Sequence, residues 1–356
     1  MILDTVKVFL PAVIAFILGI AMTPIVAGFL YKHQMWKKKA GKIAYDGKEA
    51  TVFNGLHKEK EVGTPRMGGM IIWLSAFLTI LGIWIISKIS PSEAILKIDF
   101  LSRDQTWLPF FTLIIGSLVG LIDDFLETKG SVEKISMGLS LKKRLLVVGL
   151  IGALIGFWFF FKLDVRGINI PGWGIFELGW LFIPFFALVT LAIYSGGVID
   201  GIDGLAGGIF AIIFSAYTAI AFTLNQINLA AFCAMLTGAI LAFLWFNIPP
   251  ARFYMSETGT MGLTLTLAVV AFITDTLGGG YGIIVLPIIA FPLVATTLSN
   301  IIQITSKKFR GKKVFLVAPI HHHFEALGWP AYKVVMRFWV IGVIFALIGV
   351  ILTLIW

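Results

Sequence analysis

The chain has 356 residues, 58% of them hydrophobic and 13% charged, with a mean hydropathy of +0.96 and a formal net charge of +9. Soluble domains carry roughly 45–50% apolar and about 25% charged residues, so this balance excludes a soluble globular domain and predicts an all-α, polytopic integral membrane protein. The single Cys233 lies in an apolar run, which excludes a disulfide framework.

Apolar runs near the ~20 residues that cross ~30 Å of hydrocarbon predict about ten transmembrane helices. They lie near 8–30, 67–87, 107–122, 145–161, 180–199, 205–223, 230–246, 262–277, 282–303 and 337–355, the third and fourth being short. The first is a retained span rather than a leader, because "MILDTVK" is not a basic n-region and the run is too long for an h-region. With odd-numbered spans running inward, roughly four in five of the 28 Lys and Arg fall on one side, which the positive-inside rule makes cytoplasmic. Both termini are then extracytoplasmic. The basic excess sits in "YKHQMWKKKAGK", "GLSLKKR" and "SKKFRGKK". Topology and anionic lipid headgroups account for at least half of it, and no nucleic-acid partner is expected. No fixed-period repeat or long polar segment interrupts the chain, so residues 1–356 read as a single membrane domain.

This topology places the polar motifs on one face. In chain order they are "GTPRMGG", "LIDDF", "IDGIDGLAGG", "FNIPPARFYMSETGT" and "APIHHHF", and all five histidines join them. The opposite loops hold scattered charges and "DVRGINIPGWGIFELGW", a candidate hairpin. Five separated segments delivering acids, amides and imidazoles to one surface predict one composite site, facing the cytoplasm.

Asp123 and Asp124 follow an apolar span directly. Two carboxylates ~4 Å apart repel by roughly 4 kcal/mol at an effective dielectric near 20, so a cation between them or neutralisation of one is expected. Magnesium suits such a place, since it accepts one or two carboxylates and completes its shell with water and phosphate oxygens. Asp200 and Asp203 are three residues apart and share a face if their segment is helical. The glycines around them permit close approach of backbone or ligand. Asn247, Tyr254 and Glu257 come from a loop that Pro249 and Pro250 keep from being helical. "GTPRMGG" is equally a loose phosphate-cradling loop or the turn that starts a helix. His321, His322 and His323 point about 100° apart on a helix, so they do not grip one ion together; near phosphates, imidazoles donate hydrogen bonds or move protons. Transporters also carry intramembrane acids, but place them near the midplane between repeated halves, and no halves are visible.

The constellation resembles the phospho-N-acetylmuramoyl-pentapeptide transferases, a branch of the polyprenyl-phosphate N-acetylhexosamine-1-phosphate transferase superfamily. "GTPRMGG", "DD", "DGIDGLA", "FLWFN", "RGKKVF", "APIHHHFEALGWP" and "VVMRFW" occur in the family's order over nearly the full length. The resemblance implies attack by a polyprenyl phosphate, such as undecaprenyl phosphate, on UDP-N-acetylmuramoyl-pentapeptide, with release of UMP and a need for Mg2+. It implies a bacterial plasma-membrane enzyme, in contact with membrane lipids and homodimeric. By the same pattern Asp123, Asp124 and His321 are catalytic, while Lys60, Asp200, Asp203, Asn247, Tyr254, His322 and His323 bind substrate. Glu257 and Asp200 are the implied metal ligands. The chain departs from the pattern at Met255-Ser256-Glu257, where the family has Met-Gly-Asp, and at Arg66, where it has Thr. It departs again at Glu61, where a Lys is usual and Lys60 is adjacent, and at Gly197, where an Asn is usual.

Overall fold

A computed structural model describes residues 2–38, 41, 51, 54–55, 62–90, 92–102, 105–129 and 138–356. The chain builds α1 (Ile2–Lys32), α2 (Met70–Ile89), the short α3 (Glu93–Ile98), α4 (Trp107–Thr128) and α5 (Leu141–Lys162). An antiparallel hairpin follows, β1 (Gly167–Ile170) with β2 (Gly174–Glu177), pairing Gly167 with Glu177 and Ile170 with Gly174. Then come α6 (Phe182–Ser195), α7 (Leu205–Thr223), α8 (Ile227–Asn247), α9 (Ser256–Phe272), α10 (Gly282–Ile289), α11 (Phe291–Arg310), α12 (Ile320–Ala326) and α13 (Ala331–Ile355). Among the described residues, nine helices are long and apolar enough to cross a membrane. A tenth span results if α10 and α11, bent by 71° at their junction, count as one. The protein is a multi-pass membrane protein, and its hairpin lies where the Gly/Pro/Trp stretch predicts one.

Burial separates centre from rim. In the apolar stretch of Ser256–Leu277, 89% of residues are buried, against 28% in α13. Helix α9 packs on α4 and α6; α8 is flanked by α1, α2 and α7; and α13 covers α7. The rim helices show Val340, Ile344, Leu347 and Ile351 outward. Lipid is as apolar as these side chains, so no force drives them inward. What brings spans together instead is close approach at small residues. A side chain at Gly120 would collide with the backbone of Glu257 and Thr258, and one at Gly262 with Ser117 and the Leu113 carbonyl. Gly120 therefore sets the last turns of α4 against the first turn of α9, and Asp123 and Asp124 lie in those turns.

The two ends of the bundle differ. At one end buried Asp275 accepts hydrogen bonds from the amides of Asn169 (2.8 Å) and Ile283 (3.1 Å), pinning the hairpin to the break after α9. The Trp356 carbonyl accepts from Tyr281 Oη at that end, and Gln226 Nε2, just before α8, donates to Ile273 O. Helix α1 runs parallel to α8, with Ala12 beside Gly238 and Gly19 beside Ala242, and finishes where Tyr31 Oη donates to Arg252 O. Both termini thus lie at the hairpin end, and the polar motifs at the other.

Four sequence expectations change, the first being that Asn247, Tyr254 and Glu257 share a loop: Asn247 is the last residue of α8 and Glu257 stands in the first turn of α9, which leaves only Tyr254 between the helices. Helices α4 and α5 have 22 residues each, so the two short spans are full length and Asp123 and Asp124 sit inside a helix rather than after it. "IDGIDG" is not α-helical: a 3-10 segment at Gly196–Ile199 gives way to turns, and Gly204, at φ 82°, is the N-cap that precedes α7. Asp200 and Asp203 therefore share a loop, not a helical face. The ninth span is broken at Ala290, between Pro287 and Pro292.

Candidate active site

Asp124 is fully buried and accepts hydrogen bonds from the Thr258 amide (2.8 Å), the Thr258 hydroxyl (2.6 Å) and the Glu257 amide (3.3 Å). These amides are among the four that open a helix and have no partner inside it, and a carboxylate there also meets the positive end of the helix dipole. Asp124 thus fastens α4 to the start of α9. Arg66 approaches it, Nε lying 3.9 Å from Oδ1, while Arg66 Nη1 pairs with Glu127 at 3.0 Å and Lys37 reaches the same Glu127 oxygen at 3.2 Å.

Asp123, also buried, accepts the Leu139 amide and lies 3.6 Å from Arg144 Nη1. Arg144 stands in the first turn of α5, and its Nη1 forms an ion pair with Glu257 Oε1. Tyr194 Oη donates to the other oxygen of Glu257 at 3.2 Å. One guanidinium therefore bridges the acids of α4 and α9.

The "IDGIDG" loop closes on the same helix start. The Ser256 amide donates to Asp200 (2.8 Å), and the Ala251 amide to Asp203 (3.2 Å). Buried Asn247 holds the loop from below, accepting from Gly204 N and donating to Phe253 O, both at 2.9 Å. Gly201 backs onto two imidazoles: an added Cβ would lie 2.6 Å from His322 Nε2 and 2.7 Å from His321 Nε2. His321 and His322 are buried, and His322 Nδ1 contacts Glu325 at 2.7 Å. His323 diverges, its Nδ1 accepting from Leu316 N and its ring beside Phe315. Asp124, Asp200, Asp203, Asn247, His321 and His322 therefore form one linked neighbourhood. Beside it opens a cavity of about 550 Å³ whose lining includes Lys37, Arg66, Arg144, Tyr194, Asp200 and Glu257.

The description "Glycosyl transferase family 4" fits residues 106–275, the stretch that supplies most of these side chains. Proteins named phospho-N-acetylmuramoyl-pentapeptide-transferase are similar over nearly everything. That of Bacillus anthracis is 34% identical over 344 residues and that of Shouchella clausii 35% over 345, each covering 95% of both chains. That of Geobacillus thermodenitrificans is 34% identical over 303 residues, covering 82% of this chain and 84% of the relative. The chain belongs to the phospho-N-acetylmuramoyl-pentapeptide-transferase family.

Sequence reading of this transferase missed three site residues. Arg144 sits in a basic run accounted for by topology, Tyr194 looks like any aromatic in an apolar span, and Glu127 lies one turn past the aspartate pair. The one available signal is position: Arg144 follows "GLS" at a helix start and Tyr194 precedes the "SGG" break. "GTPRMGG" is a turn before α2, not an anion cradle, because the amides of Gly68 and Gly69 already donate to the carbonyls of Tyr254 and Met255. Tyr254 is tied to that turn through its backbone, its own amide donating to Pro65 O. Lys60 lies outside the described residues.

The donor set near Glu257 is all oxygen, the chemistry that a hard dication prefers. The arrangement nevertheless does not fit one as it stands. Glu257 is engaged by Arg144 and Tyr194, Asp200 by the Ser256 amide, and among the described residues no three acidic, His or Cys side chains are grouped as a metal cluster.

Proposed function

We propose that this chain joins a polyprenyl phosphate, such as undecaprenyl phosphate, to the phosphorus that carries the sugar in UDP-N-acetylmuramoyl-pentapeptide. A lipid phosphate oxygen attacks, the bond to the nucleotide's phosphate breaks, UMP leaves, and the first lipid-linked peptidoglycan precursor results. The observation that carries this reading is the linkage of Asp124, Asp200 and His321 through the start of α9 and Gly201. Phosphoryl transfer depends chiefly on positioning and on neutralising charge, and a fixed cluster of this kind supplies the first. Lys37, Arg66 and Arg144 around the cavity supply the second.

Asp124 is engaged by three donors, which suits it to holding the site together. Removal of the proton from the lipid phosphate is assigned to Asp123, whose Oδ1 takes the Leu139 amide while Oδ2 lies 3.6 Å from Arg144 Nη1 and, among the described residues, is left to meet a substrate. His321 and His322, against Gly201, are placed beside the diphosphate, while Asp200, Asp203, Asn247 and Tyr254 belong to the nucleotide side. His323 and Lys60 remain substrate contacts only by family pattern. Magnesium at Glu257 and Asp200 would first have to free Glu257 from Arg144.

In this reading 1–356 is one domain of the bacterial plasma membrane, with the site facing the cytoplasm, both termini outside and a homodimeric assembly. This sidedness is supported by the excess of Lys and Arg in the loops assigned to that face, under the positive-inside rule. Purified protein should release UMP from UDP-N-acetylmuramoyl-pentapeptide when polyprenyl phosphate is added. No UMP from the muramoyl substrate, but release from another UDP-N-acetylhexosamine, would replace the substrate and keep the reaction.

A further inference from the structure

Arg144 already occupies the carboxylate of Glu257. Its Nε donates to Leu139 O at 3.1 Å, fixing the guanidinium, whose Nη1 meets Glu257 and lies 3.6 Å from Asp123. Tyr194 takes the second Glu257 oxygen. Both side chains of the pair keep an exposed edge, 24% for Arg144 and 20% for Glu257, and both line the cavity.

We propose that Arg144 is an internal counter-ion that competes with a divalent cation for Glu257, so that the ion binds only as the Arg144–Glu257 pair opens. A carboxylate whose two oxygens already hold a guanidinium and a phenol is left with only part of its acceptor capacity and a fixed orientation, which suits poorly a hard ion that needs near-ideal oxygen geometry. A dication and a guanidinium within ~4 Å of each other also repel strongly. Opening the pair answers both constraints: Glu257 becomes a ligand, and the guanidinium is left with unengaged donors over the cavity, where phosphate oxygens are its natural partners. The inference rests on the proposed phosphotransfer only for the reason an ion enters.

The test uses full-length protein in detergent without substrate, with Mn2+ binding followed by electron paramagnetic resonance of the free ion. Arg144→Gln should bind Mn2+ about tenfold or more tightly than wild type, since a nearby positive charge is removed from a partly screened site. The double variant Arg144→Gln, Glu257→Gln should lose that gain. Arg144→Lys, which has no donor where Nε meets Leu139 O and a single nitrogen to share between two carboxylates, should show part of it and serves if the Gln variant does not fold. Unchanged affinity in both single variants, or a gain that survives in the double variant, overturns the proposal. Because no substrate is present, this outcome is separate from whether the wild type releases UMP.

Discussion

Asp124 and Thr258 are joined twice, the carboxylate accepting both the amide and the hydroxyl of one residue across the α4–α9 contact. Removing only the hydroxyl separates holding from chemistry. Thr258→Val should lower stability by about 1.5–3 kcal/mol, the range for a hydrogen bond to a charged group, yet keep most UMP release below its melting temperature. Asp124→Asn should lose both, because its amide group presents donors to donors. Thermal melts in detergent paired with UMP release check this.

Asp123 carries the proton-transfer role and should behave differently. Asp123→Asn should reduce turnover about 10²–10⁴-fold, the usual contribution of a positioned base, with the Michaelis constants near wild type. Equal loss in stability and turnover would reassign Asp123 to structure.

Gly201 separates the acid loop from two imidazoles. Its backbone is not in the left-handed region, so Gly201→Ala is conformationally free and acts by displacing His321 and His322. Displacement of this size should cut UMP release about 10–100-fold and, because both imidazoles are buried, lower stability by about 1–3 kcal/mol. Steady-state kinetics beside a melt decide it.

Asn247 satisfies a buried amide and a buried carbonyl from two loops. Asn247→Ala strands both, at about 1–3 kcal/mol each, and should loosen the IDGIDG loop. The expected signature is faster proteolysis near 200–204 together with lost activity.

Asp275 is the control from the far end. Asp275→Asn turns one acceptor oxygen into a donor facing the amide of Asn169 or Ile283, and should lower stability by about 1–3 kcal/mol without changing turnover. A loss of turnover at full folding would mean that the hairpin end communicates with the site.

The amino-acid order alone determined that this is a multi-span helical membrane protein, and it marked a candidate hairpin after the fourth span, because hydrocarbon length and backbone hydrogen bonding leave a chain of this composition few alternatives. It also singled out Asp124, Asp200, Asn247 and His321, since acids, amides and imidazoles beside apolar spans stand out against their surroundings. Partners it did not determine. That Arg144 answers Glu257 from 113 positions away, that Tyr194 joins them, and that His322 shares Gly201 while His323 turns to Phe315 were decided by tertiary packing. The reason is physical: local rules act over one or two helical turns, whereas helix α9 meets α4 because Gly120 lets two backbones touch, and only that contact fixes which charge faces which.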